Sequence, residues 1–307
     1  MVWRLLEFRA KGVLMEILTE YQNGNYRVTL YTDGTKIKRT EDDLFQADFP
    51  DSMDLKITNF CDLACPMCHE NATTLGQHAD LSADFLDKLH PGTELAIGGG
   101  NPLSHPELLP FLEKMKARGI ICNLTVNEKH LKEYRAQIEA LLQEKLIWGL
   151  GISLQEYCEA TLEFAKRNPN TVLHLICGMI KKEELSSLFD KELKILLLGY
   201  KRFGRGVSYY SPKIGARICE MRHILPDILP RFAVVSFDNL AIEQLQLKKA
   251  LTEDTFESMF MGEDGDATMY VDLVKREFAL SSTAKERYPL LDTAEEMLFF
   301  LHHQKKK

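Results

Sequence analysis

Cys61-Asp62-Leu63-Ala64-Cys65-Pro66-Met67-Cys68 places three thiols within eight residues. The string begins where a β-rich pattern at residues 54–59, Asp54-Leu55-Lys56-Ile57-Thr58-Asn59, comes to an end. Three thiolates this close can wrap one metal centre, because iron–sulfur clusters and zinc both favour thiolate ligands. A cluster with only three protein ligands keeps one iron open to a cofactor or substrate. Zinc, the competing occupant, asks for a fourth ligand, most simply from a second Cys or His pair at short spacing. His69 is adjacent to Cys68, which makes chelation alongside all three thiols awkward, and Cys122, Cys158, Cys177 and Cys219 stand alone. Pro66 disfavours a packed helix through the string.

Downstream of residue 53, short apolar runs alternate with amphipathic helical patterns. Strands are expected at residues 54–59, 94–97, 120–126, 146–153, 171–177 and 194–199. Helices are expected at 83–89, 106–117, 129–144, 157–167 and 183–190. Pro106 suits a first helical turn and Gly119 a helix end. Six such alternations imply right-handed βαβ units and a parallel sheet, either a six-stranded partial barrel or an open doubly wound sheet. In both, active residues belong at the C-terminal ends of the strands.

The flanks read differently. Patterns at 13–22, 26–31 and 36–39 are separated by Asn23-Gly24-Asn25 and Asp33-Gly34, hairpin signals that give a three-stranded meander. After Gly206 the rhythm weakens. A strand at 231–237, a helix at 239–251, a hairpin from 268–272 and 277–281, and a helix at 294–302 are expected, with Lys305-Lys306-Lys307 as a solvated tail. The resulting division is 1–50 for the meander, 53–206 for the α/β core, and 207–307 for an α+β extension that completes or covers it.

The cysteine spacing, in a loop after the first strand of a repeated βα pattern, resembles the signature of the radical S-adenosylmethionine (SAM) superfamily. The resemblance covers about residues 53–206 and implies a partial (β/α)6 TIM-like barrel. It implies that Cys61, Cys65 and Cys68 hold a [4Fe–4S] cluster whose open iron binds SAM. One-electron transfer then cleaves SAM to methionine and a 5′-deoxyadenosyl radical that abstracts a hydrogen atom from substrate. Met67 stands where many members carry an aromatic residue; a soft, apolar side chain can pack there.

Further strings resemble the superfamily in order. Gly98-Gly99-Gly100-Asn101-Pro102 resembles its Gly-Gly-Glu-Pro motif, which binds the SAM amino group, with neutral Asn101 replacing the acidic residue. Asn127 and Ser153 end the third and fourth strands, where the family faces SAM, although both types also cap helices. His174 lies in the fifth strand and reads as a core residue or, if it points inward, as a contact to substrate or SAM. Lys201, in Gly199-Tyr200-Lys201-Arg202-Phe203-Gly204-Arg205-Gly206, is expected to bind an anionic group of SAM or substrate. Glu70, in the polar run after Cys68, is a plausible hydrogen-bond partner. The acidic stretch Gly262–Asp266 lacks EF-hand spacing. No cysteine follows Cys219, so no auxiliary cluster is expected.

Composition bounds the partners. The 307 residues carry a formal charge of −7, with an isoelectric point near 5.8. That balance disfavours nucleic acid, whose phosphates need clustered cations. No membrane span is expected, and residues 1–9 lack the apolar region of a signal peptide, so a cytoplasmic protein with reduced thiols is expected. The expected activity is radical SAM chemistry on a peptide, protein or small metabolite, with a flavodoxin or ferredoxin as electron donor by resemblance. A glycyl-radical activase, a nucleoside-modifying enzyme and a non-enzymatic zinc- or cluster-binding module are the alternatives.

Overall fold

The structure, a computed structural model, describes residues 16–305. Strands β1 (Ile17–Asn23), β2 (Tyr26–Tyr31) and β3 (Lys36–Arg39) form an antiparallel meander in that order. Gly24 makes the first turn at φ +54°, where a side chain would strike the Gln46 carbonyl. The beginning of the first expected strand and residues 1–9 lie outside the described residues.

The six expected core strands are all present: β4 (Ser52–Thr58), β5 (Glu94–Gly99), β6 (Ile121–Asn127), β7 (Gly149–Ser153), β8 (Thr171–Ile176) and β9 (Lys194–Leu198). Strand β10 (Val234–Phe237) joins β9 in parallel. The extension then returns to the opposite edge. Strand β11 (Thr268–Asp272) lies parallel to β4, and β12 (Glu277–Ala279) and β13 (Tyr288–Pro289) follow antiparallel. Among the described residues the sheet therefore has ten strands rather than six, in the order β10-β9-β8-β7-β6-β5-β4-β11-β12-β13.

From β4 to β10 the order never reverses. Right-handed crossovers running in one direction put every connecting helix on the same face, which excludes the doubly wound arrangement. The helices are α1 (Leu108–Ala117), α2 (Glu128–Glu133), α3 (Arg135–Gln143), α4 (Glu159–Arg167) and α5 (Lys182–Ser186), with a 3₁₀ turn at Asp84–Lys88. Their apolar sides bury Leu112, Ile138 and Leu162 against Leu55, Ile97, Leu124 and Ile152 of the sheet. The other sheet face lines a cavity. The helix expected over 129–144 is two helices, broken at Tyr134.

The C-terminal third holds α6 (Arg205–Tyr209), α7 (Pro212–Ile228), α8 (Asn239–Gln244), α9 (Leu247–Ala250), α10 (Glu253–Met259) and α11 (Ala294–Lys305). The 17-residue α7 was not expected, because Gly215 and Pro226 interrupt its pattern. The helix expected over 239–251 breaks at Gln246, whose φ is +52°. Lys305 ends α11 and pairs with Asp266 at 2.8 Å rather than opening a solvated tail; the rest of the expected tail, residues 306–307, lies outside the described residues. No helix among the described residues is long and apolar enough to cross a membrane.

The meander sits at the N-terminal ends of the core strands. Lys38 pairs with Asp51, just before β4, at 2.6 Å, and Lys36 pairs with Glu94 at the start of β5. Asn170, just before β8, donates to the Thr32 carbonyl at 2.7 Å, and Lys194 at the start of β9 donates to the Asp33 carbonyl at 3.0 Å. Asp51 is 1% exposed and also accepts from Asn23 and Tyr26 at 2.7 and 2.8 Å.

Candidate active site

Strand β4 delivers the chain into the cysteine loop. Thr58 Oγ1 accepts from the Phe60 N–H at 2.9 Å. Cys61 N–H donates to the Thr73 carbonyl and Thr73 N–H to the Asn59 carbonyl, at 2.9 and 3.1 Å, which closes a neck beneath residues 61–72. Within the loop, Cys68 N–H reaches the Cys65 carbonyl at 3.2 Å and Ala64 takes φ +47°. All three thiols line the cavity.

Neighbouring elements hold this loop. Arg205, at the start of α6, donates from its main chain to the Cys68 carbonyl and from Nε to the Cys65 carbonyl, each at 3.0 Å. Its Nη2 reaches the Ala72 carbonyl at 2.9 Å. Gly204 permits the approach: a side chain there would meet the His69 carbonyl at 2.5 Å. Gln155, after β7, donates to Cys65 Sγ at 3.4 Å, and buried His130 of α2 bonds Asp62 at 2.8 Å. Two residues of the basic string 199–206, Gly204 and Arg205, thus position the thiols.

The glycine run at the end of β5 divides its work. A Cβ on Gly100 would lie 2.0 Å from the Phe60 carbonyl, so that glycine packs against the chain entering the cysteine loop. A Cβ on Gly98 would meet nothing within 4 Å, because Gly98 opens onto the cavity.

The cavity measures about 1850 Å³. Its wall brings together Cys61, Cys65, Cys68, Gly98, Gly99, Gly100, Asn127, Ser153, His174 and Lys201. Asn101 and Pro102 depart from expectation. Both are buried and neither lines the cavity, because the Asn101 side chain turns in to accept from the Leu103 N–H at 3.2 Å and cap the next 3₁₀ turn. Asn127 caps α2, accepting from the Lys129 N–H at 3.0 Å, while also facing the cavity. His174 packs over Gly151, where a Cβ would come within 2.3 Å of the ring. Burial, reinforced by the charge of Lys201, pushes His174 down to about 4, so the ring is neutral near pH 7. Lys201 Nζ donates to Ser282 Oγ at 2.8 Å.

A buried ionic group joins the cysteine loop to β4 and β11. Lys56 lies 2.7 Å from Glu70 and 3.0 Å from Asp272, its neighbour across the parallel pair. Tyr270 OH donates to Glu70 at 3.2 Å. Burial pushes Glu70 up, but the hydrogen bond from His69 and the Lys56 ammonium outweigh it and hold the carboxyl well below the usual range. Burial also keeps His69 below its usual value, with Lys201 in the same direction, so at neutral pH Lys56 supplies the opposing charge. Of these residues only His69 and Glu70 drew notice in the sequence, and neither as a member of this group. A signal was available: charged and apolar residues alternate in Asp54-Leu55-Lys56-Ile57, whereas a strand covered on both faces would be apolar throughout.

No family model matches the chain, and no curated protein sequence does. Among solved structures the chain is similar to Streptococcus suis SuiB. With SuiB bound to S-adenosylmethionine the TM-score is 0.57 at 12% identity, over 85% of this chain and 69% of that one. With SuiB bound to the precursor peptide SuiA it is 0.55 at 15% identity, over 76% of this chain. In that comparison the chain spans 60% of SuiB's length. At these identities the likeness is one of fold.

Proposed function

We propose that the chain is a radical SAM enzyme whose Cys61, Cys65 and Cys68 hold a [4Fe–4S] cluster and whose substrate is a peptide or protein segment. The observation that carries this reading is the placement of three thiols from one short loop on the wall of a cavity, at the C-terminal ends of parallel strands, with Gly98 open beside them. The donor set fits a cluster with one open iron. Cys122 and Cys177 are buried in the sheet, and no fourth thiol among the described residues accompanies the three in the cavity wall. When bound, the cluster and SAM supply the reductive cleavage of SAM that yields methionine and the 5′-deoxyadenosyl radical.

The protein's own residues have definable tasks. Arg205, Gln155 and the Asp62–His130 pair hold the cysteine loop. Gly98 leaves room for SAM at the end of β5. Asn127 and Ser153 offer polar atoms for its ribose or carboxylate, and Lys201 offers an ammonium for an anionic group. We read residues 53–206 as a partial barrel that carries this chemistry, 1–50 as an extension, and 207–307 as the segment that completes the sheet. The surroundings are taken to be cytoplasmic, with a flavodoxin or ferredoxin as reductant.

Two observations favour a peptide. Small-molecule sites run to about 300–1,000 Å³, so a cavity near 1850 Å³ has room for SAM and a segment of chain. SuiB, which shares the fold, has been solved with a precursor peptide.

One contact favours a second reading. Cys61, Asp62 and His130 bring their ligand atoms within 4.8 Å of one another, a set that zinc would accept. That set leaves Cys65 and Cys68 aside and competes with the existing Asp62–His130 hydrogen bond.

The test is anaerobic reconstitution with iron and sulfide, then dithionite, SAM and chromatography for 5′-deoxyadenosine. The expected result is product that disappears in Cys65→Ala. Zinc as the sole bound metal, with no acid-labile sulfide, overturns the proposal.

A further inference from the structure

Asp54 sits in the middle of β4, on the face that lines the cavity and two residues before Lys56. The two side chains have opposite circumstances. Lys56 is compensated twice, by Glu70 and Asp272. No hydrogen bond or ion pair within the described residues reaches the Asp54 carboxylate, and its side chain is exposed to the cavity.

The nearby groups are already engaged. Lys201 donates to Ser282. Asp238 accepts main-chain N–H groups from Gly199 and Ala241 at 2.9 and 2.7 Å. Around this part of the wall two ammonium groups, Lys56 and Lys201, face five carboxylates, Asp54, Glu70, Asp238, Asp264 and Asp272. Burial raises the Asp54 pKa; Lys201 opposes the rise, and Asp264, Asp238 and Glu70 add to it. An unpartnered carboxylate open to the cavity is free to take a charge-assisted hydrogen bond from a cationic group. The wall beside it, with Ala96 and Gly98 on β5, leaves that space free.

We propose that Asp54 forms a subsite for a cationic side chain of the substrate, the ammonium of a lysine or the guanidinium of an arginine. This rests on the peptide reading above and narrows it to a basic residue. The amino group of SAM shares the same chemistry. Asp54, however, lies four residues before Thr58, about 13 Å below the strand end that leads into the cysteine loop. That depth assigns the cation to the substrate.

Two blocked pentapeptides test this, one with lysine at its centre and glycine elsewhere, the other with norleucine, which keeps the carbon stem and lacks the charge. Their binding to the reconstituted full chain, with and without SAM, is measured by titration calorimetry. The lysine peptide is expected to bind about tenfold more tightly. Asp54→Asn should bring the ratio to about one, Asp54→Glu should preserve it, and SAM affinity should be unchanged in both. A ratio near one in the wild-type chain overturns the proposal without recourse to any variant. So does an Asp54→Asn variant that loosens SAM and keeps the lysine preference. Formation of 5′-deoxyadenosine without a lysine preference removes the subsite and leaves the radical chemistry standing. A lysine preference in a chain that never cleaves SAM keeps the subsite and removes that chemistry.

Discussion

Lys56 Nζ lies 2.7 Å from Glu70, so one buried ammonium on β4 is fastened to the loop that carries the three cysteines. The same ammonium lies 3.0 Å from Asp272 of β11, and its side chain is only 4% exposed. Lys56→Met would leave two carboxylates facing each other with little water between them. Removing one partner of a buried pair costs about 3–5 kcal/mol. The expected outcome is a loss of that size in urea unfolding, together with iron occupancy well below that of wild type after reconstitution.

Gly98 and Gly100 should respond differently to the same added methyl group. In Gly100→Ala the new carbon collides with the Phe60 carbonyl, main chain against main chain. Overpacking of this kind costs about 1–3 kcal/mol, and the melting temperature should fall. Gly98→Ala meets nothing within 4 Å and should melt like wild type. Its defect should appear in SAM affinity, read by calorimetry, because the methyl group enters the cavity.

The seven thiols should sort by alkylation. Burial pushes both Cys122 and Cys177 up to about 12, so neither presents thiolate at pH 8. Mass spectrometry after iodoacetamide treatment of the metal-free chain should find Cys219, Cys158, Cys61, Cys65 and Cys68 modified and those two intact. Reconstitution with iron and sulfide should protect Cys61, Cys65 and Cys68 and leave Cys158 and Cys219 reactive.

His174 sets a pH dependence whose sign follows from its position. Its folded pKa is about 4, against about 6.5 in an unfolded chain. Between those values the unfolded chain binds a proton that the folded chain refuses. Stability is therefore level above about pH 6.5 and falls as pH drops toward 4. Allowing for water in the cavity, the loss between pH 7.5 and 5 is about 1–2 kcal/mol. Urea midpoints at those two pH values should differ less in His174→Gln than in wild type.

The six core strands could be read directly, because each is a short apolar run bounded by turn residues and set between helical patterns. That the cysteines and Gly98 to Gly100 share one wall was legible for a different reason: they follow two successive strands of a parallel repeat. The supports of the site escaped notice because they join distant residues. Lys56 and Asp272 meet only because β11 returns to the far edge of the sheet, and nothing in the hairpin pattern of residues 268–281 indicates which strand it will adjoin. Arg205 could be seen as a cation in a glycine-rich loop, but its carbonyl partners lie about 140 residues earlier. The cap that the Asn101 side chain forms was not legible, because a motif records residue order, whereas the choice between cap and cavity depends on a rotamer.

The meander has one more implication. Its ties to Asp51, Glu94, Asn170 and Lys194 run across the bases of β4, β5, β8 and β9. The meander is therefore part of the chamber's wall at the end away from the thiols, through Leu30, Lys38 and Phe45. Cutting it away would release four strand bases at once and widen the chamber from below, so a segment that looks like an appendage acts as a clamp on the sheet.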